Sequence, residues 1–139
     1  MDSALLTGWM NFLGPQGYDC FLTMTYAEPA RSAEAALWRA RVFLTRYFDG
    51  RKEKARAFLV AEPHESGFFH VHGLVDSHGS AELRFHLWRA AKRRHGRCRF
   101  EPFNSADSVR AYVCKYLLKN ASNWEILGAR RFPGDPVVS

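Results

Sequence analysis

Apolar and polar positions change period several times along the chain, and each change marks an element. From Ser3 to Leu13 apolar residues recur at helical spacing, and Gly14-Pro15 stops the run because proline cannot continue a helix. Tyr18 to Tyr26 (YDCFLTMTY) is rich in β-branched and aromatic residues and predicts a first strand. Pro29 and Ser32 open an alanine-rich helix in which Leu37, Ala40, Phe43, Leu44 and Tyr47 recur at helical spacing; Asp49-Gly50 closes it. The basic segment RKEKARA leads into a second strand, Phe58 to Glu62, and turn residues Pro63 to Gly67 return the chain as a third, Phe68 to Val75. Ser80 starts a helix, AELRFHLWRAAKRR, that Gly96 caps. A fourth strand is predicted over Cys98 to Phe103, and Ser105 or Asp107 caps a last helix, Ser108 to Lys119. Beyond it only Trp124 to Leu127 offers an apolar anchor, and residues 128–139 read as a flexible tail.

Leaving the first helix aside, the order is βαββαβ followed by a helix, the split pattern of ferredoxin-like α+β proteins with an antiparallel sheet and flanking helices. Residues 1–127 are expected to form a single domain, and a chain of 139 residues buries roughly two thirds of its unfolded surface. The two crossover helices should cover one sheet face. The other face is then free to present chemistry, with the last helix nearby.

That chemistry begins in the third strand. His70 and His72 stand one residue apart, so their imidazoles share a face of the sheet. A hairpin through Pro63 to Gly67 lays Glu62 beside them. Two imidazoles and a carboxylate form a divalent-metal site that keeps coordination positions open for water or substrate. His64, on the same strand face as Glu62 if the strand extends that far, is the alternative third ligand. By donor type alone, two imidazoles suit zinc at least as well as magnesium.

The last helix adds a second signal. Tyr112, Lys115, Tyr116 and Lys119 fall at i, i+3, i+4 and i+7 and are expected to share one face, with Val113, Leu117 and Leu118 on the other. A phenol is a poor nucleophile at neutral pH, because with a pKa near 10 only about one in a thousand is ionised. A lysine one turn away favours the phenolate. Attack by a phenolate on a phosphodiester gives a covalent protein–DNA ester and keeps the energy of the broken bond.

Charge points the same way. Formal net charge is +6 and the sequence pI is near 9.5. Between Glu82 and Glu101 there is no acidic residue, whereas Arg84, Arg89, Lys92, Arg93, Arg94, Arg97 and Arg99 all fall there, interleaved with Phe85 and Trp88. Such a cluster suits a polyanion, since each cation placed on a phosphate releases condensed counterions. The three cysteines, Cys20, Cys98 and Cys114, lack zinc-ribbon spacing and disulfide density. No apolar run approaches the roughly 18 residues that a membrane span needs. A cytoplasmic location is expected, the host cytoplasm if the chain is phage-encoded.

Taken together, the chain resembles the HUH endonucleases, in particular the two-tyrosine replication initiator (Rep) proteins of rolling-circle plasmids and single-stranded DNA phages. The motifs that carry the resemblance are FLTMTY at Phe21 to Tyr26, HVH at His70 to His72 and YVCKY at Tyr112 to Tyr116. It runs from about Asp19 to Lys119. It implies that Glu62, His70 and His72 bind Mg2+ or Mn2+, that Tyr112 is the first nucleophile and Tyr116 the second, and that Lys115 and Lys119 assist. It implies DNA contacts by Thr23, Thr25 and Tyr26 of the first motif, beside Arg84, Arg89, Lys92, Arg93, Arg94 and Arg97. The activity implied is nicking and rejoining of single-stranded DNA at an origin hairpin, starting and ending rolling-circle replication, with a 5′-phosphotyrosine intermediate and a host helicase and polymerase as partners. The alternatives are a transposase- or relaxase-type strand transferase and a non-catalytic single-stranded DNA-binding module.

Overall fold

The computed structural model describes residues 3–119 and 123–129. Its strands are β1 (Cys20–Tyr26), β2 (Ala57–Pro63), β3 (Phe69–Val75), β4 (Gly96–Pro102) and β5 (Trp124–Leu127). Its helices are α1 (Ser3–Leu13), α2 (Ala33–Phe48), α3 (Ala81–His95) and α4 (Ala106–Tyr112), and α4 runs directly into a π-helical turn, Val113–Leu117. The strands form one antiparallel sheet in the order β4-β1-β3-β2-β5. The molecule is therefore α+β, with helices flanking a five-stranded antiparallel sheet, an architecture compatible with the ferredoxin-like HUH fold. The expected tail lies mostly outside the described residues.

Local chemistry sets the boundaries. The hydroxyls of Ser32, Ser80 and Ser105 accept hydrogen bonds from the backbone N–H groups of Ala35, Leu83 and Ser108, at 3.0, 3.0 and 3.3 Å, capping α2, α3 and α4. β4 starts at Gly96, earlier than the expected Cys98. With φ of 106°, Gly96 turns the chain straight from α3 into the strand, and a Cβ there would lie 2.7 Å from that of Ala27. β5, expected only as an apolar anchor, pairs along β2 from Ala57↔Leu127 to Val60↔Trp124 and covers what would be an open edge.

Alternation along the strands divides the core in two. Cys20, Leu22, Met24 and Tyr26 of β1, with Leu59, Val71 and Val75, pack beneath α2 and α3. On the opposite face Phe58, Val60 and Leu74 pack beneath Leu6 and Leu13 of α1 and Val109, Tyr112, Val113 and Leu117 of the α4 segment. Helix α1 and α4 thus cover part of the second face, and what they leave uncovered is the strip holding His70 and His72.

One buried cation ties these layers together. Arg56, 1% exposed, lies at the end of the RKEKARA segment whose composition reads as solvated. Its guanidinium donates to Asp76 Oδ2 at 2.7 Å, to the Gln16 carbonyl at 2.5 Å and to the Gly128 carbonyl at 3.1 Å. Each partner comes from a different part of the chain, so this single side chain joins the turn after α1, the end of β3 and the end of β5.

Candidate active site

The hairpin between β2 and β3 pairs Glu62 with His70 and Val60 with His72, and β1 pairs Thr23 with His72. Glu62, His70 and His72 consequently rise from one face of two adjacent strands. His70 Nε2 lies 3.0 Å from Glu62 Oε1 and hydrogen-bonds to it. His72 Nε2 is 3.3 Å from the same oxygen but is not aligned for a hydrogen bond, which leaves a buried nitrogen without a partner. Burial first, and then the neighbouring His70, pushes the His72 pKa down to about 4. Its imidazole therefore stays neutral, the form that ligates a metal. One ligand atom from each of the three residues lies within 4.8 Å of the others, and the orphaned Nε2 is a lone pair with nothing else to do. This donor set fits a divalent cation. His64 stands outside the triad: it is exposed, its Nδ1 accepts from the Ser66 N–H at 3.3 Å, and its ring only approaches that of His70.

The tyrosine helix departs from the expected arrangement. Tyr112, Lys115, Tyr116 and Lys119 do not share one exposed face. Tyr112 is 2% exposed, and its hydroxyl donates to the His72 carbonyl at 2.8 Å. Burial raises its pKa well above the ordinary tyrosine value, with the phenols of Tyr18 and Tyr116 adding to the effect. Val109 explains the difference. Together with Tyr112, Val113 and Leu117 it completes an i, i+3, i+4, i+8 stripe that turns Tyr112 into the core. Beyond Tyr112 the backbone widens, as Leu118 N–H donates to Val113 O at 3.0 Å across five residues. Single π-turns of this kind are frequent at functional sites. Here the turn sets Tyr116 face to face with the His72 imidazole, ring centroids 3.9 Å apart and planes at 14°. Tyr116 is half-buried, and the Lys115 ammonium sits 5.3 Å from its ring centroid. Lys119 is exposed and outside this arrangement.

A cleft of about 430 Å³ opens beside the triad, lined by Phe21, Thr23, His72, Arg99, Lys115 and Tyr116 among others. Arg99 was not among the expected site residues, yet register brings it there: β4 pairs Arg99 with Thr23, which is paired in turn with His72. Thr25 pairs with Arg97 on the same face. Period-two alternation of Arg97 and Arg99 around buried Cys98 was the available signal.

The remaining expected DNA contacts are scattered. Tyr26 is buried on the opposite sheet face, where its hydroxyl donates to the Ala36 carbonyl, so it cannot meet DNA in the cleft. Arg84 is half-buried and donates to Ser77 Oγ at 3.0 Å, bracing the loop after β3. Arg89, Lys92, Arg93 and Arg94 are exposed on α3, across the sheet from the triad. The run of cations in the sequence is thus two surfaces in space: Arg97 and Arg99 on the site face, the α3 residues behind it. A larger hollow, about 680 Å³ between α2 and β5, brings together no metal-ligating trio among the described residues.

No curated protein and no solved structure matches the chain. A family model does: that of the replication-associated proteins of the ORF2 type, over residues 19–121. The matched span runs from just before β1 through the π-turn and takes in the whole triad, Arg99, Lys115 and Tyr116. With most of its length matched in this way, the chain belongs to the ORF2-type family of replication-associated proteins.

Proposed function

We propose that this replication-associated protein nicks and rejoins single-stranded DNA by transesterification at Tyr116. The observation that carries the reading is the stacking of a half-buried tyrosine on one histidine of a Glu-His-His donor set, in a cleft whose other polar walls are Arg99 and Lys115. The Tyr116 phenolate attacks the scissile phosphorus, the Tyr–O–P bond forms, and the bond to the 3′ oxygen breaks. The phenol loses its proton, the 3′ oxygen gains one, and the 5′-phosphate stays on the enzyme. Lys115 favours the phenolate electrostatically. Arg99 offers a forked pair of donors to a phosphate oxygen. Stacking on His72 holds the phenol ring over the triad. Glu62, His70 and His72 would hold Mg2+ or Mn2+, the ions the HUH resemblance implies, which when bound supplies Lewis-acid charge neutralisation at a phosphate.

Within this reading Tyr112 is a positioning residue, since its phenol is buried and engaged by the His72 carbonyl. A single-tyrosine strand transferase of the transposase type is a second reading, favoured by that burial. Thr23, Thr25 and Arg97 extend the path for the strand along the site face. An origin hairpin as target and a host helicase and polymerase as partners, in the cytoplasm, complete the proposal. Incubation with a labelled single-stranded origin oligonucleotide and Mn2+ tests it: a covalent adduct that EDTA or His70→Ala abolishes supports it, and no adduct with Tyr116 intact overturns it.

A further inference from the structure

The face of the molecule behind the sheet carries a second charged feature. Between α2 and α3 run two adjoining hollows of about 450 and 440 Å³ that share Tyr47, Ala90 and Arg93. Arg46 and Arg51 line one wall, and Arg89, Arg93 and Arg94 the other. All five arginines are exposed. Among the described residues none of Arg46, Arg89, Arg93 and Arg94 has an ion-pair partner, and Glu82 is the one acid lining the groove. A concentration of unpaired guanidiniums on two facing walls is self-repulsive unless an anion fills it.

The form of the groove indicates which anion. Guanidinium forks match phosphate oxygens geometrically, and a row of them on both walls suits a phosphate backbone better than an isolated ion. Proteins that hold single strands supply open aromatic faces on which bases stack. Here the Tyr47 ring is covered by the Arg51 guanidinium at 4.3 Å, and Phe43 is buried, so the groove offers charge without a stacking platform. We infer that the α2–α3 groove binds the phosphate backbone of duplex DNA, at a site separate from the cleft that takes the single strand. The inference rests on the reading of the chain as a DNA-acting protein. It adds that the enzyme holds flanking duplex on its back while the nicked strand occupies the front.

The test uses the whole chain in EDTA, so that cleavage plays no part, and a blunt, unnicked duplex oligonucleotide read by fluorescence anisotropy between 50 and 200 mM salt. Relative to the parent chain, the triple variant Arg46→Ala, Arg89→Ala, Arg93→Ala should bind the duplex at least ~10-fold more weakly, with a log–log salt slope shallower by about 3, at roughly 0.9 per lost phosphate contact. Its adduct formation with a single-stranded oligonucleotide should stay within about twofold of the parent, since the three side chains lie across the sheet from the triad. An unchanged duplex affinity and slope would overturn the inference. So would a parallel loss of single-strand adduct, or loss of binding to phosphatidylserine vesicles with duplex binding intact. Because the duplex measurement needs no cleavage, failure of Tyr116 to form an adduct leaves it readable.

Discussion

Replacing Tyr112 by phenylalanine separates the two tyrosines. The change removes one hydroxyl from a residue that is 2% exposed and deletes the hydrogen bond it donates to the His72 carbonyl at 2.8 Å. The ring stays, with its packing against Phe21 and Tyr116, so no cavity larger than an oxygen opens. Leaving a buried acceptor short of a partner costs about 1–3 kcal/mol. That carbonyl belongs to a central strand and has a second lone pair, which places the cost toward the lower end, about 1–2 kcal/mol. Urea unfolding should show a lower midpoint with an unchanged slope, because the surface exposed on unfolding is the same. Adduct formation with a single-stranded oligonucleotide and Mn2+ should survive, slowed by no more than about tenfold through a less firmly held His72. If Tyr112→Phe were as stable as the parent, or if it lost the adduct completely while remaining folded, the assignment of Tyr112 as a buried positioning residue would be wrong.

Other expectations follow from the same geometry. Arg99→Ala should slow adduct formation by roughly 10-fold or more, the value of one charge-assisted contact to phosphate, without shifting the thermal midpoint; single-turnover gels measure it. Arg56→Ala strands Asp76 as a buried unpaired charge and should cost about 3–5 kcal/mol in chemical denaturation. His95 is packed edge-on against Tyr26 and Phe43, and burial first, then Arg94 and Arg39, holds its pKa below the ordinary 6.5. The unfolded chain therefore takes up a proton before the folded one does, so this residue makes stability fall as pH drops below about 6.5. His95→Gln should flatten that part of the decline in unfolding curves recorded between pH 7.5 and 5.

The strand face bearing His70 and His72 was legible because period-two alternation is a local property, and Glu62 followed because a short hairpin fixes which residues oppose each other. The helix caps at Ser32, Ser80 and Ser105 were legible for the same reason. The orientation of Tyr112 was not. It depends on Val109 completing the apolar stripe and on a π-turn that re-aims Tyr116, and neither shows in the spacing of YVCKY by itself. Splitting of the basic cluster was likewise hidden, because Gly96 turns the chain from a helix on one side of the sheet to a strand whose odd-numbered residues face the other. Arg56 carried no local mark at all: in a segment as charged as RKEKARA, only tertiary partners from three distant places distinguish the buried arginine from its solvated neighbours. Family membership rests on the matched model, and the chemistry proposed for it rests on the triad and the ring stacked against it.

The central claim is that the half-buried phenol stacked on His72, and not the buried one hydrogen-bonded behind it, carries the DNA. The most direct measurement is protease digestion of the covalent adduct and mass mapping of the nucleotide-linked peptide. The account predicts the mass increment on Tyr116. Its appearance on Tyr112 would contradict the account.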